Sequence, residues 1–136
     1  MATLESRIAD LITEVGYDVK RALPFYLPFG RPGTLATFTS PRIYFPDDVQ
    51  LMGAVFSLTT APTGSSAIFE VLKNGSGTFS SDPTISASGF RSSDGTLTGA
   101  TVIDASGLDY LQINCSQVGS TIAGADLTAV LKLILS

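Results

Sequence analysis

The chain has 136 residues and a net charge of −4, and 44% of its residues are apolar while only 15% are charged, which suits one domain or one domain with a short appendage. It has no histidine, no tryptophan and one cysteine, which excludes histidine-activated nucleophiles, histidine-ligated zinc or haem, intrachain disulfides and cysteine-held iron–sulfur clusters. Only three basic residues follow Gln50, which argues against nucleic acid as a partner, and no apolar run is long enough to span a membrane.

Residues 3–23 have the pattern of an amphipathic helix. Apolar residues recur at intervals of three and four, Thr3 is a suitable N-cap, and Pro24 prevents continuation. Such a helix is marginal alone in water and needs a surface to pack against. That surface is either its own domain or a second copy, because the β-branched residues alternate as in a short three-stranded coiled-coil seam. The residues expected at this interface are Leu4, Ile8, Leu11, Ile12, Val15 and Val19.

Residues 24–33 are predicted to form an irregular arm. Three prolines and two glycines in ten residues prevent a helix and disfavour a paired central strand. The segment is nevertheless too apolar for a solvated linker, so we expect it to lie on a surface, either its own domain or a partner. The candidate docking residues are Phe25, Tyr26, Leu27 and Phe29. Residues 1–33 are thus expected to be a helix and arm, and residues 34–136 a separate domain.

Residues 34–136 are predicted to form a jelly-roll-like antiparallel β-sandwich. Short runs rich in β-branched and aromatic residues alternate with turn residues. Asn74-Gly75 is the strongest hairpin signal, because both residues tolerate the positive φ of a type I′ turn. Cys115 is expected to be a core residue of a strand. Strands are expected near 34–39, 42–45, 50–60, 66–73, 77–80, 84–92, 97–103, 108–116 and 127–135.

The carboxylates do not form a pattern typical of a catalytic or metal site. Asp104 and Asp109 flank a short turn and could face each other as a glycosidase pair does, but turn formation is the simpler role for both. No dense Asp-x-Asp pattern indicates calcium, and no glycine-rich loop precedes a helix to bind phosphate. We therefore expect no enzymatic activity, no cofactor and no metal.

Two stretches of the β domain resemble β-sandwich modules of tailed-phage virion proteins. The stretches are Thr60-Ala61-Pro62-Thr63-Gly64 through Lys73-Asn74-Gly75 to Phe79, and Leu108 to Thr128 with Gln117-Val118-Gly119-Ser120-Thr121 and Gly124-Ala125-Asp126-Leu127. Together they place the resemblance over roughly residues 43–135, without the N-terminal helix. Modules of this kind occur in capsid cement (decoration) proteins and in the heads of tail fibres and minor tail proteins. Gly119 and Gly124 are expected to set a loop, and Asp126 to tie one.

The resemblance implies a structural protein of the virion, made in the cytoplasm of a bacterial host. The first expectation is a trimeric cement protein on the capsid surface that binds the major capsid protein and stabilises the shell. The alternative is a tail-fibre or minor-tail module that binds a host receptor or glycan. The absence of tryptophan and the strand-like settings of Tyr44 and Tyr110, which predict partial burial, count against sugar stacking, and the short chain lacks a fibre shaft.

Overall fold

The structure, a computed structural model, describes residues 3, 4, 6–8, 10 and 23–136. Within residues 23–136 the chain forms two antiparallel sheets that pack face to face, with a small ribbon beside them. The predicted β-sandwich is therefore confirmed. The strands are β1 Phe25–Thr34, β2 Phe38–Thr39, β3 Ile43–Tyr44, β4 Val49–Thr60, β5 Ala67–Lys73, β6 Ser76–Gly77, β7 Phe79–Ser81, β8 Thr84–Ile85, β9 Thr96–Leu97, β10 Thr101–Ile103, β11 Tyr110–Gln117 and β12 Ala125–Leu135.

The first sheet, sheet A, has the strand order β1-β12-β4-β10. The second, sheet B, is built around the pair β11 and β5: β2 and β3 pair with β11, while β6 and β8 pair with β5. Strands β7 and β9 form the separate ribbon. The long strands in which buried and exposed residues alternate lie at the centres of the sheets. There, one face of the strand is covered by the opposite sheet along its length.

The core between the two sheets is apolar and closed. Phe56 of β4 and Phe69 of β5 are fully buried and stack across the sandwich, with ring centroids 4.7 Å apart and an angle of 8° between the rings. Cys115 is also buried, as predicted, and burial raises the pKa of its thiol to about 11. The thiol therefore stays protonated and acts as a small apolar core group.

Residues 25–34 form an edge strand, with an irregularity between Arg31 and Thr34, rather than the unpaired irregular arm expected for residues 24–33. β1 pairs with β12 from Phe25 opposite Leu133 to Arg31 opposite Leu127. An edge strand uses only one side of its backbone for the ladder, so a proline such as Pro28 is tolerated when its missing N–H faces outward. Sheet A consequently begins at Phe25, ahead of the boundary predicted at residue 34.

The described residues near the N-terminus begin a helix at the predicted cap. Positions 4, 6–8 and 10 are helical. The Ser6 N–H donates to Thr3 Oγ1 at 3.1 Å and the Arg7 N–H to the Thr3 carbonyl oxygen at 3.1 Å, so Thr3 is the N-cap. No helix among the described positions has the length and apolarity to cross a membrane. Four of the predicted seam residues lie outside the described residues, so the seam stays a prediction; they are Leu11, Ile12, Val15 and Val19.

Two local features confirm the turn predictions. Asn74 and Gly75 have φ values of 52° and 85° and form the two-residue connection between β5 and β6, as a type I′ turn requires. Asp126, with φ 59°, accepts a hydrogen bond at its Oδ1 from the Gly33 N–H at 2.8 Å. It thereby fastens the end of β1 to the start of β12.

Candidate interaction surfaces

A cleft of about 570 Å³ opens on the outer face of sheet A. Side chains alternate across a strand, and the neighbours of Val55 and Val130 are buried in the core, so these two valines face outward. Tyr26, Lys132 and Gly53 lie side by side on β1, β12 and β4 in the same register. The floor of the cleft is therefore apolar, and a tyrosine and a lysine stand at its rim.

The opposite wall of the cleft comes from the β7–β9 ribbon. Phe79 and Leu97 of this ribbon line the cleft, and the Thr98 N–H donates to the Thr78 carbonyl oxygen at 2.9 Å, which holds the ribbon together. Gly95 lies at the turn before β9 with φ 68°, and a Cβ there would come within 2.9 Å of the Phe79 ring. Glycine at this position lets the ribbon close against Phe79.

The cleft lies at a gap along the edge of β4. Leu51 pairs with Thr101 of β10. Farther along β4, the Phe56 N–H donates to Ser92 Oγ at 2.9 Å, and the Ser92 N–H donates to the Phe56 carbonyl oxygen at 2.7 Å. Among the described strands, none pairs with residues 52–55 on this side of β4. The gap gives the cleft its opening.

The predicted docking residues of β1 differ in exposure: Phe25, Leu27 and Phe29 face the same side of sheet A, opposite core residues of β12, while Tyr26 faces the outer side. Leu27 and Phe29 pack against the protein's own core, and the Phe29 ring stacks with Phe38 at a centroid distance of 6.2 Å. Phe25 and Tyr26 are exposed. A docking role therefore stays a prediction for Phe25 and Tyr26, whereas Leu27 and Phe29 already have partners within the domain.

A second surface lies on sheet B, where two tyrosines and an arginine meet. The Tyr44 and Tyr110 ring centroids are 5.6 Å apart and tilted by 54°. The Arg42 guanidinium lies 4.4 Å from the Tyr110 centroid, and its Nη1 donates to Tyr44 Oη at 3.4 Å. This hydrogen bond, together with the electrostatic interaction with Tyr110 and Tyr44, raises the pKa of Arg42. Tyr44 is 51% exposed, which corrects the expectation that both tyrosines are partly buried.

Asp104 and Asp109 have the predicted turn roles. Asp104 Oδ1 accepts hydrogen bonds from Ser106 Oγ at 2.9 Å and from the Gly107 N–H at 3.1 Å. Asp109 accepts from the Asp104 N–H at 2.9 Å and from Asn74 Nδ2 at 2.8 Å. The bond from Asn74 lowers the pKa of Asp109. Both carboxylates are thus engaged in holding the loop before β11.

No pattern in the sequence indicated that the carboxyl groups of Glu70 and Asp82 would interact. Glu70 Oε1 accepts three backbone N–H bonds, from Val71 at 3.0 Å and from Thr78 and Phe79 at 3.2 Å each. Burial, followed by the hydrogen bond with Asp82 and its charge, raises the pKa of Glu70 to about 7. A glutamate at an outward position of a strand gives no signal that the chain after β6 folds back over it.

This pair predicts that stability depends on pH. The folded protein holds the Glu70 proton more tightly than the unfolded chain, in which the carboxyl titrates near 4.5. Its stabilisation is therefore fully present below about pH 4.5 and is lost as the pH rises through about 7. We expect Glu70→Gln, which mimics the protonated acid, to gain about 1 kcal/mol over the wild type between pH 5 and 8, allowing for partial solvent exposure.

Denaturant unfolding at several pH values measures this difference. Asp94→Asn is the matched control. Asp94 is exposed, and its ion pair with the exposed Arg91, at 3.8 Å, contributes little to stability. The Asp94→Asn variant should therefore follow the wild-type profile. Parallel profiles for Glu70→Gln and the wild type would show that folding does not raise the pKa of Glu70.

Comparisons of the chain with protein-family models, with curated proteins and with solved structures found no match. The surfaces described above are therefore the features of the protein that bear on its function. The cleft on sheet A offers mainly apolar contacts, while the Tyr44–Tyr110 pair offers aromatic faces beside a cation. Among residues 23–136 and the described positions before them, no group of three or more histidine, cysteine, aspartate or glutamate side chains is placed to hold a metal ion.

Proposed function

We propose that the protein is a capsid cement protein of a tailed phage, which associates into trimers and binds the major capsid protein on the mature shell. The observation that carries the proposal is the exposed apolar surface of sheet A, where Tyr26 and Met52 border the cleft. Contiguous exposed apolar surface marks an interaction site in a soluble protein. The resemblance of residues 43–135 to virion modules supplies the biological setting.

The closed core suits this role because a cement protein transmits load between its contacts. A trimer that touches several capsomers at once gains effective concentration from each additional contact, so modest single contacts give firm decoration. Preferential binding to the assembled lattice over free subunits stabilises the shell by mass action. The surface also carries few charges, so we expect binding to depend little on moderate salt.

Particles that lack the protein test the proposal. They should assemble but rupture at a lower temperature than wild-type particles, and added purified protein should restore the rupture temperature. Tyr26→Ser protein should bind depleted particles about tenfold more weakly, because one large apolar contact of the assembled trimer is lost. Tyr44→Ser protein is the matched control from sheet B and should restore the particles fully. Depleted particles as robust as the wild type would contradict the proposal.

The tyrosine pair favours a second candidate, a tail module that binds a host receptor or glycan. Aromatic faces stack on flat apolar surfaces of a ligand, and Arg42 adds donors beside the exposed ring of Tyr44. Under this function, depleted particles would be stable but would adsorb poorly to cells. Tyr44→Ser, and not Tyr26→Ser, would then fail to restore adsorption. The same set of particles therefore separates the two functions.

A further inference from the structure

Two groups of apolar side chains are exposed among the described residues. In the N-terminal helical stretch, Leu4 is 73% exposed and Ile8 is 48% exposed. In the cleft on sheet A, Tyr26 is 59% exposed. None of the described residues before Tyr26 lines that cleft. Leu4 and Ile8 therefore do not fill the cleft of their own copy.

The sequence of the N-terminal segment matches the shape and polarity of the cleft. Leu4, Ile8 and Leu11 have the i, i+4, i+7 spacing with which an amphipathic helix inserts side chains into an apolar groove. The cleft volume of about 570 Å³ lies within the range of about 300–1,000 Å³ typical of binding pockets. Its outward-facing floor is Val55 and Val130.

Charge supports the same match. Residues 3–23 contain four acidic side chains, all between Glu5 and Asp18, and three basic ones, of which Lys20 and Arg21 lie at the end of the segment. Lys132 stands exposed at the rim of the cleft. The other charged residue that lines the cleft, Asp94, already faces Arg91 at 3.8 Å. When the acidic part of the segment, residues 5–18, approaches the apolar floor, its carboxylates therefore meet a cation at the rim, which favours the approach.

We propose that the cleft on sheet A receives the N-terminal segment, residues 3–23, of a second copy of this chain. The inference deepens the proposed function, since it rests on the self-association that the function requires, and it assigns the contact to helix and sheet rather than to a helical seam. Each copy donates one segment and accepts another through different surfaces. Such a head-to-tail contact closes into a ring when its rotation fits, and three copies give the trimer.

Sedimentation equilibrium of the full-length protein tests the contact. The wild type should reach three times the chain mass as concentration rises. Val130→Glu places a charge on the floor of the cleft and should weaken association at least about tenfold. Ile134→Glu is the matched control, because Ile134 is also half-buried and faces outward on β12 but does not line the cleft; this variant should associate as the wild type does.

Disulfide exchange between copies gives a second readout that does not depend on how well Val130→Glu folds. Under oxidation, a mixture of Ile8→Cys and Val55→Cys chains should form a mixed disulfide between the two variants. Ile8→Cys mixed with Ile68→Cys should not, because Ile68 lies on β5 of sheet B. The native Cys115 is buried and does not compete.

Trimers that form without the mixed disulfide and resist Val130→Glu would overturn the cleft contact, while the cement proposal would stand with a helical seam. A protein that stays monomeric at all concentrations would also overturn the inference. Cross-linked trimers that fail to stabilise depleted particles would support the inference and contradict the proposed function.

Discussion

Phe69→Ala is expected to lower the free energy of unfolding by about 4 kcal/mol, a large part of the roughly 5–15 kcal/mol typical of a domain. Phe69 is fully buried and its ring stacks on Phe56 of the opposite sheet at 4.7 Å. Alanine would remove that contact and leave a cavity between two paired sheets, which cannot close without shifting a ladder.

Denaturant unfolding checks this value, and the slope with denaturant should stay unchanged. Phe90→Ala is the control, because the Phe90 ring is exposed and its backbone oxygen, which accepts from the Leu58 N–H at 2.9 Å, is kept. It should change stability by less than about 0.5 kcal/mol. Equal losses in the two variants would mean that Phe69 and Phe56 do not form the centre of the core.

Gly119→Ala is expected to cost about 3 kcal/mol, at the upper end of overpacking effects. A Cβ at position 119 would overlap the carbonyl oxygen of Ile122 and lie 2.8 Å from the Thr63 backbone nitrogen. Those two groups are hydrogen-bonded to each other at 2.9 Å. The Gly119 N–H itself donates to the Ala123 carbonyl oxygen at 3.1 Å, so the loop cannot move aside without losing several bonds.

Gly99→Ala supplies the comparison, since a Cβ at position 99 would meet no atom within 4 Å and φ there is not positive. We expect it to be neutral or slightly stabilising, because alanine restricts the unfolded chain. Thermal unfolding of both variants separates steric overlap from a general effect of replacing glycine. A Gly119→Ala melt as high as that of Gly99→Ala would contradict the packing described for this loop.

The long alternating strands could be predicted because each satisfies its pattern locally. In β5 and β12 buried residues alternate with more exposed ones, and the Asn74-Gly75 turn ends β5. The strand expected over residues 84–92 is shorter, since β8 ends at Ile85 and Ser88 takes a φ of 68°. The small polar residues around Ser88 have no periodicity from which its left-handed backbone conformation could be predicted.

β1 and the cleft were not predictable, for a different physical reason. The prolines of residues 24–33 exclude a central strand, but only the assembled sheet shows that this segment lies at an edge. The cleft joins Tyr26, Val55, Leu97 and Val130, which lie far apart along the chain. Its shape comes from register and from a gap along β4, neither of which a sequence pattern encodes.

The pairing of Phe25 with Leu133 also determines how the domain bears force. The N-terminal segment and Ser136 leave sheet A at the same end, so tension between them peels β1 from β12 one hydrogen-bonded pair at a time. Tension between the N-terminal segment and a loop at the far end of the sheet loads all those pairs together. Under the proposed cement function, a shell under pressure would therefore be held far more firmly if the domain is anchored at that far end than if it is anchored through its C-terminus.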